Sequence, residues 1–344
     1  DDDGRAWIVH AYAKSRIGFK SRLGIFPMSQ DGTRAIGDDH LLFDGTREHP
    51  TIEGPKLYKR EGWYFIFAPA GGVPGGWQVV LRSRNLMGPY EPRVVLKQGS
   101  GPVNGPHQGA WVTTPSGEDW FLHFQSRGLY GRIIHLQPMS WGDDGWPRMG
   151  MDDPAPLPPA AVTGADDPVA KARAADCGIP VAQWRKPAGP ACPPLSEQAS
   201  DDFAGPLGLQ WQFVGNQRPD FFQVTSGRLR LFARQLPDGG TTLWQCPQAL
   251  TQKLCCPAFF ATVQVDVRGL RPGEQAGLAL LGGQYAYAAL RRDACGVSLA
   301  YVVSEGDEHR EKCLETRALD AQQLTLRLTL LPTGYAEAAA SFEY

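Results

Sequence analysis

Short stretches in which apolar and polar residues alternate recur along most of this chain of 344 residues. Turns rich in Gly, Asp and Pro separate them, and no useful length keeps the period of an amphipathic helix. Many short strands with regular turns are typical of sandwiches, barrels and propellers. The sequence therefore predicts an all-β protein. In its first half the predicted strands are residues 6–12, 23–28, 63–67, 78–82, 109–112, 120–124 and 131–136.

The pattern divides the chain into three parts. Residues 1–150 contain pairs of strands every few dozen residues, which favours propeller blades. Residues 151–198 are rich in Pro, Ala and charge, so we expect a linker extended over a surface, with a short helix around residues 167–175. Residues 199–344 return to cleanly alternating strands, which is typical of an antiparallel sandwich. The five clearest of these strands are residues 209–213, 228–232, 261–267, 275–280 and 324–330.

Composition excludes several classes of partner. The net charge of −2 is spread along the chain without a basic block, which argues against a nucleic-acid or membrane-surface partner. No apolar run is long enough to span a bilayer. The seven cysteines lie in the second half without paired CxxC spacing, so we expect no zinc site. Scattered thiols and one or two disulfides both fit their positions.

Glu53 is the first candidate for chemistry. Gly54 and Pro55 follow it at once and fix a sharp backbone course before the aromatic strand at residues 63–67. A carboxyl group held at a strand edge among aromatics loses water, which raises its pKa and suits it to donate a proton. A lone glutamate before a turn is more often a surface residue. The catalytic interpretation therefore depends on the motifs around it.

Several motifs occur in an order that resembles glycoside hydrolase family 43. They are residues 2–7 (DDGRAW), 51–58 (TIEGPKLY), 68–73 (APAGGV), 104–109 (NGPHQG), 130–132 (YGR), 207–212 (LGLQWQ) and 250–253 (LTQK). The family comprises β-xylosidases and α-L-arabinofuranosidases built on a five-bladed β-propeller, and the last two motifs are similar to the concanavalin-like domain that follows it in many members. The resemblance implies part of a five-bladed propeller followed by a concanavalin A-like β-sandwich, or jelly roll.

The resemblance also implies a mechanism. The family uses an Asp base, a second Asp that tunes the pKa of the acid, and a Glu acid in an inverting reaction, with carboxyl groups roughly 6.5–9.5 Å apart. It makes Glu53 the general acid and places both aspartates before residue 1. We therefore expect the chain to be truncated at both ends and the fragment itself to be inactive.

Three further residues are candidates for substrate binding. His107 lies in a Gly-Pro loop, where an imidazole could orient a carboxylate, a water or a metal, or simply bond a backbone carbonyl. Arg132 could hold a sugar hydroxyl or pair with an aspartate, or remain solvated. Trp77 follows two glycines and could stack on a sugar face or pack in the core.

The function implied by the resemblance is removal of terminal α-L-arabinofuranosyl or β-D-xylosyl residues from plant cell-wall polysaccharides or oligosaccharides. The expected partners are arabinoxylan and xylo- or arabino-oligosaccharides, and the expected location is secreted or periplasmic. No cofactor is expected to be required, although Ca²⁺ occurs in parts of the family. The main alternative is a non-catalytic carbohydrate-binding protein, and a purely structural β-protein would require the Glu53 and His107 matches to be coincidence.

Overall fold

The structure is a computed structural model that describes residues 1–155, 167–194, 199–254 and 256–344. The chain forms two compact units. One comprises Asp1–Arg127 and Gly131–Cys192, and the other comprises Gly128–Tyr130 and Pro193–Tyr344. Among the residues described, no helix has the length and apolar character needed to cross a membrane.

The first unit contains three antiparallel sheets, which hold three, four and four strands. Each sheet joins strands that follow one another in the chain: β1 to β3, β4 to β7, and β8 to β11. Two short helices, α1 (Lys14–Ile17) and α2 (Pro168–Ala174), accompany them. The strands are β1 (Ala6–Ala11), β2 (Arg22–Met28), β3 (His40–Asp44), β4 (Lys56–Arg60), β5 (Trp63–Ala70), β6 (Trp77–Ser83), β7 (Glu91–Leu96), β8 (His107–Thr113), β9 (Asp119–Ser126), β10 (Arg132–Trp141) and β11 (Pro147–Met149).

The middle sheet of this unit packs on both of its neighbours. Successive side chains of β5 point to opposite faces, so Phe65 and Phe67 enter one core while Ile66 and Ala68 enter the other. The first core is shared with the sheet of β8 to β11, and the second with the sheet of β1 to β3. Sheets that pack face to face in chain order are the arrangement of propeller blades.

Part of the segment predicted to be a linker packs into the first unit, which extends to Cys192. The expected short helix is present as α2. The ammonium group of Lys97 is buried, pairs with Asp153 at 3.1 Å and donates to the carbonyl oxygen of Ala175 at 2.9 Å. A buried cation requires such partners, so the segment is anchored at Asp153 and Ala175, whereas residues 182–194 are exposed and in no helix or strand. The linker prediction for residues 156–166 and 195–198 lies outside the described residues.

The second unit is built from antiparallel sheets. One sheet has the order β16-β21-β22 and another the order β17-β18-β19-β20, and two-stranded sheets pair β12 with β15 and β13 with β14. The strands are β12 (Gln212–Phe213), β13 (Phe222–Thr225), β14 (Arg228–Leu231), β15 (Leu250–Thr251), β16 (Phe259–Asp266), β17 (Gln275–Leu280), β18 (Ala286–Arg292), β19 (Val297–Glu305), β20 (Arg310–Leu319), β21 (Gln323–Pro332) and β22 (Ala338–Glu343).

The two larger sheets of the second unit share a hydrophobic core. Leu326 of β21 is fully buried, and it packs in one cluster with Ala288 and Leu290 of β18 and with Val263 of β16. The alternation in β16 leaves every second side chain exposed. One buried face and one solvated face are the arrangement of a β-sandwich.

Candidate active site

Glu53 lies in the turn that leads from β3 into β4. Its backbone N–H donates to the carbonyl oxygen of Pro69 at 3.1 Å, and the preceding Ile52 is 1% exposed. Thr51 and Gly54 have φ angles of 56° and 52°, both in the left-handed region. These two residues turn the chain sharply. Glu53 is therefore held between a buried anchor and a glycine.

His107 begins β8, and the structure brings it to Glu53. It is 1% exposed, and its Nε2 lies 3.2 Å from Oε1 of Glu53. The two groups are within ion-pair distance but are not aligned for a hydrogen bond, so neither ring nitrogen has a hydrogen-bond partner among the described residues. The predicted acid and the predicted histidine thus meet, although they are far apart in the sequence.

The environments of these two side chains differ. Burial, with smaller contributions from the positive charges of Arg132 and Lys56, lowers the pKa of His107 to about 4. The imidazole is therefore neutral at pH 7 and offers one donor and one acceptor nitrogen. The side chain of Glu53 is 46% exposed. The expectation that aromatic neighbours desolvate this carboxyl group is wrong, because nearly half of the side-chain surface is open to solvent.

Arg132 begins β10 next to the same site. The centre of its guanidinium group lies 4.6 Å from the centre of the Phe124 ring. Phe124 pairs with His107 across β8 and β9, and their ring centroids are 5.4 Å apart. Arg132 is exposed, and its planar fork carries donors that suit a sugar hydroxyl. Its binding role stays a prediction, and the structure places it within electrostatic reach of His107.

Trp77 is a core side chain, so the prediction of a sugar-stacking platform is wrong. It is 2% exposed, and its indole N–H lies 3.4 Å from Nδ1 of His49. The ring also covers Gly71, where an added Cβ would lie 2.3 Å from it. Although Trp77 follows two glycines, it begins β6 and its side chain packs in the core. Neither ring face is open to a ligand.

The aspartates that open the chain are engaged in surface contacts. Asp1 accepts a hydrogen bond from Tyr64 at 2.8 Å and another from Lys59 at 3.2 Å. Asp3 pairs with Arg5 at 2.6 Å. The hydrogen bonds from Arg5 lower the pKa of Asp3 below its ordinary value. That these residues supply no catalytic base stays a prediction.

A calcium ion near His107 stays a prediction. Calcium takes roughly six to eight oxygen ligands, whereas an imidazole supplies nitrogen. In the part of the chain that the structure describes, no group of three or more His, Cys, Asp or Glu side chains could hold a metal ion.

The family matches cover both units. Residues 1–147 match Glycosyl hydrolases family 43, and residues 200–344 match the Beta xylosidase C-terminal Concanavalin A-like domain. A putative beta-xylosidase of Xylanibacter ruminicola is 37% identical over 270 residues, which cover 78% of this chain and 46% of that protein. A beta-xylosidase of Formosa agariphila is 29% identical over 301 residues, covering 76% and 47%. The chain spans about half the length of these relatives.

Solved structures show the same fold. A xylan beta-1,4-xylosidase from Bacillus halodurans has a TM-score of 0.75 at 21% identity, and the match covers 100% of this chain and 64% of that one. A bifunctional protein of Bacteroides eggerthii has a TM-score of 0.72 at 25% identity, covering 96% and 39%. The predicted propeller and concanavalin-like sandwich are confirmed. The chain belongs to glycosyl hydrolase family 43.

Proposed function

We propose that this chain carries the acid side of an inverting glycosidase site, which removes terminal β-D-xylosyl or α-L-arabinofuranosyl residues from plant cell-wall polysaccharides or oligosaccharides. The observation that carries the proposal is the contact between Glu53 and His107, at 3.2 Å. It combines a solvent-accessible carboxyl group with a buried imidazole that is neutral at pH 7. A carboxyl group oriented in this way can transfer its proton to a leaving oxygen.

Glu53 donates its proton to the glycosidic oxygen as the bond from that oxygen to the anomeric carbon breaks, which leaves a carboxylate. Water adds to the opposite face of the sugar and loses a proton to a carboxylate base. The base is assigned to none of Asp1, Asp2 and Asp3, because all three lie in the turn that opens the chain.

His107 is proposed to position the acid. Its ring is fixed by burial at the start of β8, and its Nε2 lies 3.2 Å from Oε1 of Glu53. Since the imidazole stays uncharged at working pH, it restrains the carboxyl group without holding it permanently ionised. Arg132, exposed at the start of β10, is proposed to bind a hydroxyl group of the sugar.

Xyloside is the first substrate to test, and arabinofuranoside the second. Both relatives that match over three quarters of the chain are named as beta-xylosidases, and a Bacteroides ovatus relative, 27% identical over 197 residues, is named as a non-reducing end alpha-L-arabinofuranosidase. The proposed partners are xylo- and arabino-oligosaccharides and arabinoxylan. Since such polysaccharides lie outside the cell, we propose a secreted or periplasmic location.

The test compares the chain with its Glu53→Gln variant on 4-nitrophenyl β-D-xyloside and 4-nitrophenyl α-L-arabinofuranoside. Because the fragment is expected to be inactive, turnover by the chain would mean that a carboxylate within residues 1–344 serves as the base. Glutamine keeps the shape of the side chain but has no proton to donate, so Glu53→Gln should lower any such turnover by about 10²- to 10⁴-fold. Turnover that Glu53→Gln leaves unchanged would contradict the assignment of the acid. Thermal unfolding of both proteins controls for a loss of structure.

Binding without turnover is the result that favours the second function. Titration calorimetry with xylobiose and arabinobiose measures it directly. If the chain binds either sugar and hydrolyses neither aryl glycoside, a carbohydrate-binding role or an inactive fragment replaces catalysis as the interpretation of this chain. If it binds neither sugar and hydrolyses neither glycoside, the proposal is wrong.

A further inference from the structure

Gln108 lies at an irregularity in β8 beside the proposed acid. The register of β8 against β9 shifts between His107 and Ala110, so the strand holds one residue more than its partner there. Gln108 has a φ of 50°, in the left-handed region that L side chains rarely adopt. Such bulges re-aim side chains and occur often beside active sites. The bulge directs His107 and Gln108 toward the same segment of the chain.

That segment is the turn that holds Glu53. The carboxamide of Gln108 lies against Gly54, where an added Cβ would come within 1.9 Å of Oε1 and 2.6 Å of Nε2 of Gln108. Only glycine fits at position 54 while the carboxamide stays in place. The two unusual backbone conformations, at Gln108 and at Gly54 with its φ of 52°, therefore support one arrangement. In it the carboxamide sits immediately beside the acid.

The carboxamide does not use its hydrogen-bonding capacity within the protein. Gln108 is half-buried, and its amide group makes no hydrogen bond among the described residues. A carboxamide offers two N–H donors and an acceptor oxygen. Backbone strain kept at a position without an internal hydrogen bond points to a function outside the folded core. A ligand with hydroxyl groups would supply the partners that this amide lacks.

We propose that Gln108 is a substrate-binding residue, whose carboxamide bonds a hydroxyl group of the sugar held against Glu53. The inference rests on the proposed carbohydrate function and adds a contact that determines which hydroxyl pattern fits. The ligand class is a neutral saccharide with hydroxyl groups next to the scissile bond. Glutamine gives neutral donors and an acceptor there, so it can bind a hydroxyl without adding charge beside the acid.

The test uses Gln108→Gly in the Glu53→Gln background, so that bound sugar is not hydrolysed. Glycine adopts a positive φ freely, and the variant therefore keeps the backbone while losing the carboxamide. We expect an unchanged or higher melting temperature and an affinity for xylobiose about tenfold weaker by titration calorimetry. Ser226→Gly is the matched control, because Ser226 has a φ of 51° in the turn between β13 and β14. It should leave affinity unchanged.

The outcomes separate this inference from the proposed function. Equal affinity for xylobiose in Gln108→Gly and its parent overturns the role of Gln108, whether or not Glu53 acts as the acid. A lower melting temperature with unchanged affinity assigns the carboxamide to folding, which also overturns it. If the unmodified chain shows no turnover but Gln108→Gly still binds xylobiose more weakly than its parent, the inference is supported and the catalytic proposal fails. A parent that binds neither xylobiose nor arabinobiose contradicts the inference, and the proposed function fails as well if the unmodified chain also hydrolyses neither glycoside.

Discussion

Two buried histidines in neighbouring strands show how similar environments can serve different purposes. His107 at the start of β8 is 1% exposed, and His123 in the middle of β9 is 2% exposed. Burial lowers the pKa of each to about 4. His123, however, lies between the carbonyl oxygen of Phe124 at 3.2 Å and the amide of Gln137 at 3.1 Å. His107 has no aligned partner in the described chain and faces an exposed carboxyl group instead.

Neither burial nor a lowered pKa is therefore enough to identify a functional histidine. Both rings are neutral at pH 7, and both contribute to the fold by filling space. What distinguishes His107 is hydrogen-bonding capacity that the protein leaves unused, together with a titratable group within reach of solvent. The structural histidine has both nitrogens satisfied by its neighbours, as buried polar groups normally do.

Acid pH should produce the largest effect, because both histidines respond. Each pKa falls from 6.5 to about 4 on folding, so between these values the unfolded chain binds more protons than the folded one. The free energy of unfolding therefore decreases as the pH falls from 6.5 toward 4, by about 3 kcal/mol for each histidine at pH 4. Urea unfolding at several pH values measures this.

A double variant isolates the contribution of the pair. Replacing His107 and His123 by Gln removes their titration and leaves the carboxylates of the chain in place. Between pH 6.5 and pH 4, we expect the free energy of unfolding of the variant to fall by about 6 kcal/mol less than that of the parent. The same pH dependence in parent and variant would show that neither histidine is held neutral by folding.

Single substitutions should then separate the two sites by stability. His123→Ala opens a cavity and removes the hydrogen bond between the ring and the amide of Gln137, which keeps its bonds to the Val181 backbone, so we expect the free energy of unfolding to fall by about 3 kcal/mol. His107→Ala breaks no aligned hydrogen bond, and the expected loss is about 1–2 kcal/mol. Urea unfolding at pH 7 gives both values. Equal losses would remove the distinction that the hydrogen bonds imply.

Arg132→Met should give the smallest effect. The guanidinium group acts on His107 through charge, so its removal should raise the pKa of His107 and leave that of His123 unchanged. Nuclear magnetic resonance of the imidazole nitrogens follows both residues in one titration. Arg317→Met, in the second unit, serves as the control. A shift at both histidines would indicate a general change in structure.

Much of the fold could be predicted because β-strands with one buried face alternate visibly. Strands such as β16, β17 and β21 were recognised from that alternation, and β5 from its run of aromatic residues. By contrast β20, with the sequence REKCLETRAL, is mostly exposed and carries too few apolar residues to be recognised. Strands of this kind form because a neighbouring strand pairs with them.

The site was predictable only where a motif carried it. The sequence indicated Glu53 and His107 separately, but their 3.2 Å contact depends on how two sheets pack, which no local pattern contains. For Trp77 the local pattern is misleading. The two glycines before it favour a side chain that could stack on a sugar, whereas its ring is buried in the folded protein. Gln108 was within the recognised motif, yet its left-handed backbone appears only in the folded strand.

The assignment of Glu53 as the general acid is tested most sharply by how far the loss of kcat/KM in Glu53→Gln depends on the leaving group. A dinitrophenyl group departs with little help from an acid, whereas the sugar released from xylobiose requires protonation. If Glu53 is the general acid, Glu53→Gln lowers kcat/KM on xylobiose at least 100-fold and on 2,4-dinitrophenyl β-D-xyloside less than tenfold. Equal losses on the two substrates, or no loss on xylobiose, would contradict the account.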